Sequence, residues 1–555
     1  MQRKCIFFSL FVFLFVKTSF AQYFPSNDIV LNYTQIAFQY PEIKESTSYS
    51  IQLEENELYK INLNKFLVKD NSTICIIKDL NFGKKYKWKV TAYNKNSAVL
   101  SESDWHYFST ATSPLIDTTI FKIKVIKNQK SKIDDGIIWY DNLKFAADRN
   151  GKPVWFLPNM PEKEKPDASI RDLKLTNSGS VTFIGITDVY DCDLQGNLLW
   201  TAPNNGKVSG TKREDYHHDF QKLSNGNYLV LGKSFTKEKS TDANDTTNYT
   251  IEHGTIIEYD TAGNVLWFWD SRDYLTKEDV FKKPENAKKY LTSTHMNAFS
   301  IDNNNEFIYA GFRDLHRIIK IEKKSKKVVA AFGQIHPNDS ISNKSTFFKF
   351  QHSATILKNG NIAVLNNNDV KAKKDNVSSV VVFTQTNNKP KVVLDFKLNF
   401  DSLTDGKSSK TGNVLELPNG NLLVCEGAIN RVFETDYNKN ILWDAFMLQY
   451  TPQDKKWKPN MQYRTAFSTS LYPFLYSVSK FSYIDRVVSF SLFNEGSNHD
   501  MYNICFYEND KLLQSTSCQL NSGAFKSVKQ KVPLNSTSLK IVSLNSSITK
   551  EIKLK

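Results

Sequence analysis

Cysteine is scarce and scattered. Six occur in 555 residues, without any CxxC spacing or His/Cys cluster of the kind that builds a tetrahedral metal site. The five beyond the first turn of chain, Cys75, Cys192, Cys425, Cys505 and Cys518, are an odd set and make no disulfide framework. Cys505 and Cys518 flank "ENDK", but a two-residue turn at Asn509 and Asp510 would pair Cys505 with Gln514, so the two thiols would not face each other. Long apolar runs are also missing after the start, so no transmembrane helix is expected. The exception is "MQRKCIFFSLFVFLFVKTSFA", residues 1–21. Its basic Arg3 and Lys4, short apolar stretch and small Ser19 and Ala21 read as a secretory signal peptide, giving an exported, periplasmic or secreted protein. Charge of one sign is not concentrated anywhere. The net charge of +14 comes from lysines interleaved with acids, which excludes a nucleic-acid stripe, while the positive field helps draw in anionic small molecules.

What the chain does have is repetition. "GKPVW" ends at Trp155, "GNLLW" at Trp200, "GNVLW" at Trp267 and "KNILW" at Trp443. Two weaker copies, "SKKVVA" and "KPKVVL", set Ala330 and Leu394 where the others have tryptophan. Each copy follows a turn and a short alternating strand, and units begin with hairpins built on "SNGN", "KNGN" or "PNGN",. Four short strands per unit of roughly 40–50 residues are the mark of a β-propeller blade. The fold expected is all-β: a six-bladed β-propeller over residues 113–470, a fibronectin-III-like β-sandwich over 22–112 and a small C-terminal β domain over 471–555. The six tryptophan-type positions are expected in equivalent outer strands. Closure is expected between residues 115–127 and 463–470, since it removes exposed sheet edges. The insert "SFTKEKSTDANDTTNYTIEHG" reads as a polar loop, and "LTKEDVFKKPENAKKYL" as room for a short charged helix.

The chemistry follows from phase. In "HHDFQKLSNGN" His218 stands eight residues before Gly226, and in "QHSATILKNGN" His352 stands eight before Gly360. Counting from the hairpins puts His218, His295 and His352 at the start of three successive inner strands, with Gly412 at the fourth such place. Inner strands line the propeller channel, so the three imidazoles would share one pocket. Convergent imidazoles suit nucleophilic catalysis, proton transfer or metal binding. A three-histidine zinc site competes, but Arg313 in "AGFRDLHRIIKIE" would repel a dication and clamp an anion. His217 should point away from His218, as a packing or surface residue, because strand side chains alternate. His316 and Arg317 read as surface residues.

These motifs, "HHDFQKLSNGN", "HMNAFSID", "FRDLHRIIKI", "FQHSATILKNGN" and "YRTAFSTSLYP" in order, resemble the bacterial-type arylsulfate sulfotransferases that work without phosphoadenosine phosphosulfate. The resemblance covers roughly residues 25–475. It implies a six-bladed propeller that moves a sulfuryl group from an aryl sulfate to a phenol through a covalent sulfohistidine, in ping-pong order, with no cofactor and no metal. The nucleophile it implies is His352. His218 and His295 would assist, one of them as acid/base, and Arg313, Asn297 and Thr411 of "KTGNV" would hold the sulfate. Two closely spaced cysteines that enterobacterial members carry before the nucleophile are absent from "GQIHPNDSISNKSTFFKFQH", and so is the ground for expecting a dedicated disulfide-forming partner. "STHMN" lacks the aromatic residue that often precedes the second histidine. A homodimer is compatible with this reading. The alternative is a catalytically silent propeller that binds anionic or sulfated ligands.

Overall fold

The computed structural model describes residues 23–554 apart from 58–59, 69–70, 187, 240–243, 245, 247, 277–278, 280–290, 335–341, 345–346, 373–374 and 386–389. The signal peptide reading at 1–21 and most of the stretch read as a charged helix lie outside the described residues. The protein is all-β. Helical structure among the described residues amounts to single turns such as Pro114–Ile116 and Gly427–Ile429, and no helix there is long and apolar enough to cross a membrane.

Between residues 121 and 468 the chain builds six antiparallel sheets of four core strands each. The second is Arg171–Leu175, Val181–Ile184, Val189–Cys192 and Leu198–Thr201, paired in sequence order. The third to sixth repeat that order, opening with Phe220–Lys222, Met296–Ile301, His352–Ile356 and Asn413–Glu416. The first sheet takes Ile137–Tyr140, Phe145–Asp148 and Pro153–Phe156 from one end of this region and Thr465–Ser468 from the other.

Polar side chains near the first strands stitch each sheet to the next. Asp141 accepts from Asp172 N (3.1 Å), Asp172 from Phe220 N (3.0 Å) and Asp219 from Phe299 N (3.0 Å). Ser300 then accepts from Ile356 N (3.2 Å), and Thr355 Oγ1 donates to Val414 O (2.8 Å). Asn413 returns the series to the first sheet by donating to Thr465 O (2.8 Å) and accepting from Thr465 N (3.1 Å). Each of these backbone groups would cost about 1–3 kcal/mol if buried without a partner, so short polar residues at this position are a structural need.

The tryptophans do the same at the other edge. In all six sheets the last strand has a one-residue bulge just before the repeat position, so that Trp155 faces Ala146, Trp200 Asp191, Trp267 Glu258, Ala330 Lys320, Leu394 Val382 and Trp443 Glu434. A bulge re-aims the side chain that follows it. Trp155, Trp267 and Trp443 use this to donate their indole N–H to Leu194 O, Lys323 O and Arg149 O, each in the following sheet. Trp200 stacks on Tyr228 of the third sheet at 3.8 Å.

Four sequence expectations need correction. Thr465–Ser468 pairs with Ile137–Tyr140, while Phe121–Asn128 lies on the outer strand Ile441–Thr451 of the sixth sheet. The lysine-bearing segment "FKIKVIKN" suits an exposed edge, whereas all of Ile137–Tyr140 is buried. The insert read as a loop is a long hairpin in register from Tyr228↔Tyr259 to Lys239↔Asn248, built on alternating β-formers with Ser234, Tyr249 and Ile251 buried,. Arg317 is buried and donates to Gln334 O and Tyr274 Oη. Cys505 faces Ser515, because a bulge between Phe506 and Tyr507 moves the register by one residue; all five described cysteines are free thiols.

Two further β units flank the six sheets. The N-terminal one sets Ser48–Glu57, Lys85–Tyr93 and His106–Thr110 in one sheet and Ile36–Gln39 with Ile74–Ile77 in another. Its core, with Tyr49 and Trp88, runs on into Trp139 and Trp155. The C-terminal unit closes a three-stranded on a four-stranded sheet around Val488, Leu492, Tyr502, Ile504 and Phe506.

Candidate active site

The three phased histidines meet. His218 stands two residues before the first strand of the third sheet, His295 immediately before that of the fourth, and His352 opens the fifth. His218 and His295 lie ring to ring at 5.4 Å. Tyr463, from the connection into the first sheet, stands between the two sides of the cluster, 5.6 Å from His218 and 6.3 Å from His352. His218, His295 and Thr411 have positive φ (63°, 47° and 60°), uncommon for residues with a Cβ and costliest for a β-branched threonine.

His352 and His295 get their partners from beyond the end of their own hairpin's second strand, and His218 from the residue before it. His352 is buried (3% exposed), with Nδ1 2.7 Å from Asn367 Oδ1 and the Thr411 N–H directed at Nε2 from 3.3 Å. His295 sets Nδ1 3.2 Å from Asp314 Oδ2, and Arg313 donates to the other Asp314 oxygen at 2.6 Å. His218 bonds Nδ1 to Nδ1 with His217, whose Nε2 lies 3.2 Å from Gly232 O. A carbonyl only accepts, so His217 Nε2 carries a hydrogen; in the neutral ring its Nδ1 then accepts from His218, leaving His218 Nε2 as a lone pair. His217 is buried, as a packing residue would be, but it bonds His218 rather than pointing away from it.

Electrostatics keep two of these rings uncharged. Burial pushes His352 down to about 3, with the bond to Asn367 opposing and Arg313, His295 and Arg464 adding to it. His218 is held well below its ordinary value by burial and then by His217 and His295. For Asp314, burial pushes the carboxyl up, but His295 and Arg313 outweigh it and hold it below the usual range. Beside them Arg464 is buried in an ion pair with Asp219 at 2.8 Å and donates to Asn297 O at 2.9 Å. The Tyr463 hydroxyl, also buried, has no hydrogen-bond partner among the described residues.

The sequence-predicted sulfate holders are placed unequally. Arg313 reaches the cluster, its guanidinium over the Phe350 ring at 5.0 Å. Asn297 is fully buried and donates its amide to Gln351 O at 2.9 Å. Thr411 points its hydroxyl at Lys410 O (2.6 Å) and meets His352 through its backbone N–H. Sequence reasoning missed Asn367, Asp314, Tyr463 and the role of His217. A hairpin register count would have found the first two, since His352 faces Leu365 and Met296 faces Phe312, which brings residues just beyond those positions beside the histidines.

Three imidazoles gathered at the first strands of three successive sheets, with an arginine beside them, suit nucleophilic or proton-transfer chemistry on an anion,. The family sequence model for arylsulfotransferases (ASST) matches residues 122–472, and the chain belongs to that family. It is a sulfotransferase enzyme, and aryl sulfates are the family's donors. No curated protein matches the chain. Among solved structures it is similar to a protein of unknown function from Bacteroides caccae (14% identity, 60% of this chain and 99% of that one, TM-score 0.37). It is also similar to a streptogramin B lyase (12% identity, 63% and 99%, TM-score 0.31).

Proposed function

We propose that the protein transfers a sulfuryl group from an aryl sulfate to a phenol in two steps through a sulfohistidine on His352. The observation that carries this reading is the neutral, buried His352 with its Nε2 lone pair beside Arg313. Nε2 gives up the Thr411 N–H and attacks sulfur, the S–O(aryl) bond breaks with its electron pair going to the phenol oxygen, and Arg313 faces the sulfuryl oxygens as charge spreads over them,. His295 is the acid/base. It alone of the three is backed by a carboxylate, so a charged ring there is paired: Nδ1–H to Asp314, with Nε2–H given to the leaving phenolate and retaken from the acceptor phenol. His218, buried and backed by a neutral ring, supports the site as an acceptor.

In this reading the six sheets are blades of a six-bladed propeller over residues 113–470, with the cyclic side-chain stitching as its support. Residues 22–112 are a fibronectin-III-like sandwich and 471–555 a separate β domain. Export follows from the character of residues 1–21.

The experiment is rapid mixing with 4-nitrophenyl sulfate. Without phenol, a burst of nitrophenolate about equal to the enzyme and one labile sulfuryl group on the His352 peptide are expected; with phenol, steady turnover. In the same assay His295→Gln should slow transfer from phenyl sulfate, a poor leaving group, about 100-fold, and from the nitrophenyl ester far less. An adduct on another residue, or steady nitrophenolate release beyond the burst in the absence of phenol, would sink the scheme.

A further inference from the structure

Asn367 follows the second strand of the fifth sheet, Ile362–Asn366, and is fully buried. Its Nδ2 donates to two backbone carbonyls, Ser408 O at 2.7 Å and Thr411 O at 3.1 Å. That fixes the amide: flipped, its oxygen would face two acceptors with no hydrogen between them. Oδ1 therefore faces His352 Nδ1, 2.7 Å away. An amide oxygen only accepts, so Nδ1 carries the ring hydrogen and Nε2 the lone pair. The Thr411 N–H aimed at Nε2 gives the same assignment independently, because a donor needs a lone pair to meet.

The geometry points to Asn367 as the positioning residue that locks His352 in its Nδ1–H tautomer and so makes Nε2 the atom that takes the sulfuryl group. This rests on the reading of His352 as nucleophile. The choice of an amide has a chemical consequence. When Nε2 gives its lone pair to sulfur, the ring becomes an Nε2-sulfo-imidazolium that still holds its Nδ1 hydrogen. The amide oxygen takes no proton at any ordinary pH, so the ring stays positive and remains a good leaving group toward the incoming phenol. A carboxylate at 367 would pair with the charged ring and stabilise the sulfo-imidazolium, making it a poorer leaving group. In the resting enzyme the same pairing would favour a second proton on the ring and silence Nε2. The other charged or titratable groups around His352, Arg313 and His295 from the fourth sheet, His218 from the third and Tyr463 and Arg464 from the first, add no carboxylate that would do so.

The test has two readings, both on the full chain. Nitrogen-15 shifts of the His352 ring, assigned by subtraction with His352→Gln, should show Nδ1 protonated and Nε2 bare; the reverse overturns the proposal whatever residue carries the sulfuryl group. In the acceptor-free burst, Asn367→Ala should be slowed about 100-fold or more, since a triad enzyme whose histidine is held in the wrong tautomer loses about 10⁴-fold. Asn367→Asp should regain its burst only at pH values at least about one unit higher, and its sulfo-enzyme should decay about tenfold more slowly on adding phenol. Bursts within threefold of wild type in both variants, with an unmoved pH profile, overturn the proposal. Should Asn367→Ala not fold, the wild-type ring shifts and Asn367→Asp decide. An adduct found elsewhere than His352 would remove the nucleophile assignment, while the ring shifts still decide the Asn367 bond.

Discussion

The outer and inner ends of the six sheets use one backbone plan for opposite purposes. At the outer ends the same bulge recurs before Trp155, Trp200, Trp267, Ala330, Leu394 and Trp443, and four of the six residues are the same. At the inner ends the register-equivalent positions carry Arg171, His218, Asn297, His352 and Gly412, and His295 joins the cluster from two residues before Asn297. Where a position holds sheets together, one side chain serves four of the six repeats. Where the histidines meet, each has a different partner: His217, Asp314 or Asn367. Identity at repeated places reports packing, and divergence at repeated places reports chemistry.

Arg313→Ala tests the inner side of that contrast most severely. The guanidinium is proposed to bind sulfate in both ground and transition states, so both donor binding and turnover should weaken. Loss of one preorganised donor costs about 2.7–4 kcal/mol, roughly a hundred- to thousandfold in kcat/KM for the aryl sulfate. Unchanged kinetics in a folded variant would reassign Arg313 to holding Asp314, which it already bonds.

Much of this was legible in the sequence because repeats turn spacing into position. The six sheets, the equivalence of the tryptophans and the matching places of His218 and His352 follow from hairpin phase, whereas that phase falls on Asn297 and His295 lies two residues before it. What was not legible depended on bulges and on partners far away in the chain. One bulge moved Cys505 from Gln514 to Ser515. Residues 121–128 joined the sixth sheet instead of the first because an edge tolerates lysines and an interior strand does not. Asn367 and Asp314 needed register, Tyr463 and Arg464 needed closure, and Asn297 and Thr411 show that a residue can hold a motif position while giving a side-chain donor to the backbone.

Trp443→Leu tests the outer side. It removes the indole bond to Arg149 O and the ring on which the Arg149 guanidinium stacks at 4.7 Å, where the sixth sheet meets the first. A cost of about 3 kcal/mol is expected from the lost volume and bond, seen as a lower denaturant midpoint, while the burst per folded molecule stays within about twofold of wild type. A burst that fell along with stability would mean the two ends are coupled and the contrast is false.

A last effect is a pH dependence of stability, to which the buried imidazoles of the inner ends contribute. His217 and His352 are both buried, and burial first of all pushes each from 6.5 to about 3. In the unfolded chain the same rings take up protons near pH 6.5. Between about pH 6.5 and 3 the unfolded state therefore binds more protons than the folded one, and stability falls as pH falls through that window. Each imidazole that stays neutral in the fold contributes a slope of up to about 1.4 kcal/mol per pH unit there. Urea unfolding at pH 7.5, 6.5, 5.5 and 5.0 should show little change across the first pair and a steady loss below it. His352→Gln, which has no ring to protonate, should lose part of that slope, whereas Trp443→Leu should lower every point alike and keep it. A flat profile below pH 6.5, or an undiminished slope in His352→Gln, would mean that the buried ring is charged in the folded protein and that Nε2 has no lone pair to give.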